Sequence, residues 1–198
     1  DDIDILLISN NELLPGFDTY IDYKTSTGYV VEAVSIENIY NDYTGVDRAE
    51  KVRNCIIDYY DNHGIDYVIL GGDTDGQLPS QAVVPHRGFA VLDDDAMPSD
   101  MYFSNLDGNW NNDGDDYWGE QGEIDLYAEV FVVRICVDNS TEVANALNKH
   151  IKYQNEPVTA DVQKALMIGE ELNNNPQTNG GDYKDEIADG GFYNGYYT

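Results

Sequence analysis

Short apolar runs alternate with helix-period stretches through the first part of the chain. Residues 4–10 (DILLISN) are an apolar run closed by turn formers, which predicts a buried strand. Phe17, Tyr20, Ile21 and Tyr23 then recur at helical spacing, with Gly28 as a stop. Residues 29–36 (YVVEAVSI) predict a second strand. A helix follows, with Val52, Cys55, Ile56, Tyr59 and Tyr60 on one face and Gly64 at its end. Asp47 and Glu50 are placed as an N-cap and its capping-box partner. Residues 66–73 (DYVILGGD) predict a third strand, apolar on both faces and therefore central.

After a long irregular stretch the rhythm resumes. Residues 129–137 predict a fourth strand, followed by a helix capped by Ser140 or Thr141 and ended by Pro157. Residues 164–170 (KALMIGE) predict a fifth strand, and a short helical piece is expected around 183–188. A β-α-β-α-β order implies right-handed crossovers and a mostly parallel sheet flanked by helices, a three-layer α/β fold. The insert 74–127 is too long for an idle connection, so a role is expected of it.

Charge changes the picture of partners. Ten basic and 38 acidic side chains leave a net charge of −28 over 198 residues. Phosphate backbones and anionic membrane surfaces would be repelled, which argues against nucleic acid and membrane partners. No apolar run is long enough for a membrane helix. The chain opens on acidic residues directly before a strand and reads as a piece of something longer. Cys55 and Cys136 form no CxxC pair and are expected as two free, mostly buried thiols.

The acid is concentrated. Twelve carboxylates lie between Gly88 and Val133 with no basic residue among them. Asp107, Asn109, Asn111, Asp113 and Asp115 alternate, with Gly114 to turn the chain, and NWNNDG is similar to the centre of an EF-hand loop. Hard cations take six to eight oxygens from such groups. These five residues with Glu120 and Glu123 are therefore the candidate ligands, for Ca²⁺ rather than Zn²⁺ because no His or Cys is near. A solvated acidic loop is the alternative. Trp110 and Trp118 are expected to anchor the loop. Ligands in an open α/β sheet meet the carboxyl ends of strands, where Gly71-Gly72-Asp73 forms either a turn or a ligand carboxylate. A dyad of Cys136 with His63, His86 or His150 is open on paper but disfavoured, since no His falls at a strand's carboxyl end, and no G-x-S-x-G is present.

Six segments together resemble the gingipain family of cysteine peptidases: GFDTYIDYKTSTGYVVEAVSIENIY, RNCIIDYY, DYVILGGDTDGQLPS, PSDMYFSNLDGNWNNDGDDYWGE, EIDLYAEVFVVRICV and GGDYKDEI. The resemblance covers essentially the whole chain, in order. It implies a caspase-like fold in two subdomains, of which residues 1–198 are the first. The second, catalytic subdomain, carrying a GHG-type His and a later Cys, is expected downstream and is the implied partner. The resemblance further implies a secreted or cell-surface endopeptidase acting on peptide or protein substrates, and Ca²⁺ binding. Asp182 matches the carboxylate that lines the pocket for a basic side chain in Arg-selective relatives, with Asp185 second. Val133-Arg134 stands where relatives read Gly-Arg, and Cys136 where Pro often follows, so specificity does not carry over directly. The rival reading is a non-catalytic, acidic Ca²⁺-binding module of a cell-surface protein.

Overall fold

The computed structural model describes residues 2–74, 82–91, 94–162 and 164–188. Residues 75–81, part of the segment that follows the third predicted strand, and the tail 189–198 lie outside them. Two compact units are formed, Asp1–Lys152 and Tyr153–Thr198.

In the first unit, the apolar run becomes β1 (Ile5–Ser9), buried at all five positions. A 3-10 turn (Leu14–Phe17) leads into α1 (Asp18–Ser26), after which Gly28 takes a φ of 99°. β2 (Val31–Ser35) follows, then α2 (Ile36–Asp42), α3 (Arg48–His63) and β3 (Tyr67–Gly71). The described part of the insert is more ordered than its composition suggests. It forms a hairpin of β4 (Arg87–Val91) and β5 (Asp94–Ser99) and a single helical turn, α4 (Met101–Ser104). The chain then returns to the sheet as β6 (Phe131–Ile135) and leaves through α5 (Ser140–Asn155).

The main sheet has the order β2-β1-β3-β6 and every pairing is parallel. β1 and β3 are central, as the two-faced apolar runs require. Alternation along them separates two cores. Leu6, Ile8, Val68 and Leu70 face α2, α3 and the insert. Ile5, Leu7 and Ile69 face α1 and α5, whose Tyr20, Val143 and Leu147 are buried against them.

Local chemistry sets the helix ends. The Asp47 carboxylate accepts the Glu50 amide at 2.9 Å, and Glu50 reaches back to the Val46 amide, so two donors at the head of α3 are satisfied. Gly64, at a φ of 72°, closes α3 in the left-handed conformation. Val52, Cys55 and Ile56 are buried as expected, but Tyr60 is exposed and Ala49 takes part in the buried face instead. Helix α2 was not foreseen; its signal is Ser35, whose side chain accepts the Asn38 amide. The cap of α5 is Asn139, not Ser140 or Thr141, because its Oδ1 accepts the Glu142 amide at 3.0 Å.

The second unit is small. It holds α6 (Thr159–Val162), a hairpin of β7 (Glu171–Asn174) and β8 (Gln177–Asn179), and α7 (Gly180–Ala188). The expected fifth strand, residues 164–170, is not a strand. Leu166, Met167 and Ile168 are exposed, and an apolar run becomes a strand only where a neighbour pairs with it. The hairpin begins immediately after, where Asn175-Pro176 supplies the turn.

The cysteines are both free, but they differ. Cys55 is buried in α3, and burial pushes its thiol up to about 12, so it is an inert packing group. Cys136 is exposed, contrary to expectation, since it follows the last paired residue of an edge strand.

Candidate functional site

The acidic loop hangs from a frame of buried side chains. Asn105, 1% exposed, closes its mouth by donating to the Tyr127 carbonyl at 2.8 Å while its Oδ1 accepts the Gly108 amide at 3.1 Å. Trp110 is buried and stacks on Phe89 of β4, with centroids 4.6 Å apart. Trp118 meets Tyr102 of α4 edge-on. Backbone bonds join the same parts, Gly119 to Trp110 and Ala90 to Trp118. The two tryptophans therefore anchor the loop.

Arginines from outside the loop secure this frame. Arg53 of α3 donates to the carbonyls of Tyr102, Asn105 and Gly108 at 2.7 to 3.2 Å. Arg134 of β6 grips Asp100 with two nitrogens, at 2.6 and 2.8 Å, and also holds the carbonyls of Gly72, Val84 and Pro85. Sequence reading missed these roles. The one signal was indirect: the chain has only four arginines, and a scarce side chain that offers five donors is suited to a frame.

Within the loop, alternation of Asx residues produces a chain of local turns. Asn109 accepts the Asn111 amide, Asn111 the Gly114 amide, and Asp115 the Tyr117 amide, at 2.7 to 3.2 Å. Short polar side chains bond readily to backbone two or three residues on. Gly114 takes the φ of 75° that the turn requires. Asp107 is exposed at the start of the loop.

Three of the seven candidates meet. Carboxylate oxygens of Asp113, Glu120 and Glu123 lie within 4.8 Å of one another, the acidic group that converges in this way among the described residues. Glu123 spends one oxygen on the Asn112 amide at 2.6 Å, and its Oε2 is buried with no hydrogen-bond partner. Glu120 has its pKa raised, by desolvation first and then by Asp115, Asp113 and Glu123. Like charges held this close favour either a proton or a cation.

Asp182 and Asp185 lie on α7 and are exposed. They are three residues apart and so share a helix face. Asp182, in the first turn, accepts from Asn179 at 3.4 Å.

At the carboxyl end of β3, the glycine pair is a packing device. A Cβ on Gly71 would lie 2.6 Å from Cζ of Phe17, and one on Gly72 would lie 2.4 Å from Cγ1 of Val83. The backbone of Asp73 accepts the amides of Val83 and Val84 and donates to Val137, which makes it a junction between insert and sheet. His86 is half-buried nearby, and burial followed by the charge of Arg134 lowers its pKa. His150 is exposed, edge-on to Tyr20.

The sequence matches Peptidase family C25 over residues 1–194. No curated protein matches it. Among solved structures, the Arg-specific cysteine proteinase gingipain R (RGPB) is similar at 19% identity and a TM-score of 0.55, over 77% of this chain and 28% of that one. The complex of Porphyromonas gingivalis RgpB pro- and mature domains gives 19% and 0.54, over 76% and 29%. Dimeric latent PorU from Porphyromonas gingivalis gives 17% and 0.61, over 87% and 18%. This chain thus spans less than a third of each of these proteins, and the likeness shows the fold. With the family matched over nearly every residue, the chain belongs to peptidase family C25.

Proposed function

We propose that residues 1–198 are the first subdomain of a secreted or cell-surface gingipain-like cysteine endopeptidase. Its part in the reaction is to shape the substrate pocket and to hold Ca²⁺. The observation that carries this reading is the family match from residue 1 to 194. The nucleophilic thiolate and the imidazole that activates it come from a downstream subdomain. The solved relative named Arg-specific supports a substrate with a basic side chain. On this reading Asp182, exposed at the head of α7, receives that side chain, and Asp185 on the same face is second. No helix among the described residues is long and apolar enough to cross a membrane.

The acidic loop fits a hard cation. Asp113, Glu120 and Glu123 offer three convergent carboxylates, and the buried, unpartnered Oε2 of Glu123 lacks the compensation that a cation would supply. The remaining oxygens come from backbone carbonyls and water, as Ca²⁺ accepts. When bound, the ion neutralises the cluster and fixes the loop against its frame.

The test has two independent parts. A chain extended through the downstream subdomain should cleave peptides after Arg or Lys, and Asp182→Asn should reduce kcat/KM on them at least about tenfold more than Asp185→Asn does. A gene lacking a downstream His and Cys sinks the peptidase reading. Calorimetry of residues 1–198 with Ca²⁺ should show binding that Glu120→Gln with Glu123→Gln abolishes. No heat and no change in melting with EDTA would remove the cation.

A further inference from the structure

β6 pairs with β3 on one side, and no strand of the described residues pairs with the other. The Phe131 amide donates to Asp66 and the Ile135 carbonyl accepts from Gly72, so these residues turn their backbone groups toward β3. By the alternation of a parallel ladder, Val132 and Arg134 turn their N–H and C=O groups to the open edge. Natural edges are blunted by outward charges, Pro or bulges. β6 has none of these. Its one charge, Arg134, is drawn inward, with every N–H of the guanidinium engaged by Asp100, Gly72, Val84 and Pro85.

Both faces beside this edge are open and apolar. On the side of α1 and α5 a cleft of about 210 Å³ is lined by Tyr67, Ile69, Phe131 and Val133. Phe131 stacks on Tyr67 yet is 72% exposed, and Val133 is 54% exposed. On the opposite side a cleft of about 390 Å³ is lined by Met101, Ala128, Val130 and Val132. Leu126 and Tyr127, just before β6, are exposed as well.

This combination selects its occupant. A helix would fill one cleft and leave the edge amides unpaired. A strand fills both, because successive side chains point to opposite faces. A strand buried on both faces of a parallel sheet is apolar at successive positions. A second copy is disfavoured, since each chain carries a charge of −28. The chain spans 28% of the length of a gingipain chain with the same fold, so most of such a protein lies elsewhere. We propose that the β6 edge and its two clefts receive an apolar strand from the part of the peptidase domain that this chain does not span. This rests on the reading of the chain as one part of a longer domain.

Amide exchange in residues 1–198 and in the extended chain tests it. The Val132 and Arg134 amides should exchange at least about a hundredfold more slowly in the extended chain, while Phe131 and Val133, already bonded to β3, change less. Val133→Lys should leave the melting temperature of residues 1–198 within about 1 °C. It should lower that of the extended chain and restore fast exchange at Val132. Edge amides that stay fast in the extended chain overturn the proposal. So does protection already present in dilute residues 1–198. Protection that appears only at high concentration assigns the edge to a second copy and overturns it too. An extended chain with protected amides but no peptidase activity leaves the surface standing and rejects the enzyme reading, so the two failures are distinguishable.

Discussion

Arg87 holds Asp47 with both terminal nitrogens, at 2.6 and 2.9 Å, and so ties the insert to the residue that caps α3. The guanidinium lies 3.7 Å from the centroid of a Trp118 ring and 4.5 Å from that of Tyr102. One side chain thus joins the cap of a core helix to two aromatic anchors of the insert. Arg87 is buried while the Asp47 side chain is 43% exposed, so solvent screens part of the pair.

Arg87→Ala should cost roughly 2 to 3 kcal/mol, below the full value for a buried pair because Asp47 keeps access to water. Arg87→Lys should recover only part of this, since an ammonium cannot reproduce the planar fork or the stacking. Urea melts of the three proteins check it. Burial alone would raise the pKa of Asp47, but Arg87 and the amides of Glu50 and Ala49 outweigh it and hold it below its ordinary value of 3.8. A depressed carboxylate stabilises the fold above its unfolded pKa and loses that contribution as pH falls through the folded one. The difference between wild type and Arg87→Ala should therefore be constant above about pH 4 and shrink below it.

Arg134 is the second lock, and its partners are five acceptors brought from three parts of the chain. Arg134→Met keeps the stem but strands Asp100 and the carbonyls of Gly72, Val84 and Pro85. A cost of about 3 kcal/mol is expected, or roughly 6 to 12 °C in melting temperature for a chain of this size. Asp100→Asn should cost less, because three carbonyl bonds survive. Equal losses would show that the carbonyl bonds carry no weight.

These locks explain why the sequence was readable in some places and opaque in others. The apolar runs at 4–10 and 66–73 become β1 and β3 because burial on both faces depends on local composition alone. The cap of α3 is legible for the same reason, since Asp47 and Glu50 lie three residues apart. The hydrogen-bond partners of Arg87 and Arg134 lie 34 to 62 residues away, and no local pattern encodes them. Residues 164–170 show the converse: the run has strand composition, but pairing depends on a neighbour. In the acidic loop, composition named seven candidate ligands. The fold brings Asp113, Glu120 and Glu123 together and commits an oxygen of Asn109, Asn111 and Asp115 to local turns.

Gly71 ends β3 against the ring of Phe17, and a methyl group there would lie 2.6 Å from Cζ. Gly71→Ala should cost about 1 to 3 kcal/mol, as overpacking does in a close-packed interior. Phe17→Leu alone should also destabilise, by removing buried aromatic surface. The double variant should be more stable than the sum of the two losses predicts, because the smaller side chain makes room for the methyl. Strict additivity in a double-mutant cycle would mean that the clash is relieved elsewhere.

The carboxylates of the acidic loop set the last expectation. Glu120 has its pKa raised by desolvation and then by Asp115, Asp113 and Glu123, so the folded state takes up a proton more readily than the unfolded chain. The stability linked to that proton is present at low pH and lost as pH rises through the folded pKa. A cation held by the three carboxylates would remove the same repulsion at neutral pH. Without Ca²⁺, Glu120→Gln should therefore raise the melting temperature at pH 7, and the gain should shrink as pH falls and the wild-type carboxyl takes up its proton. With Ca²⁺ at a hundredfold excess over its Kd, wild type should gain roughly 5 °C or more. Glu120→Gln should gain clearly less. Melts with EDTA and with Ca²⁺ at pH 7 and pH 4 separate the outcomes. A Glu120→Gln protein that is no more stable than wild type in EDTA would show that the cluster is not strained. Equal Ca²⁺ gains in both proteins would place the ion away from Glu120.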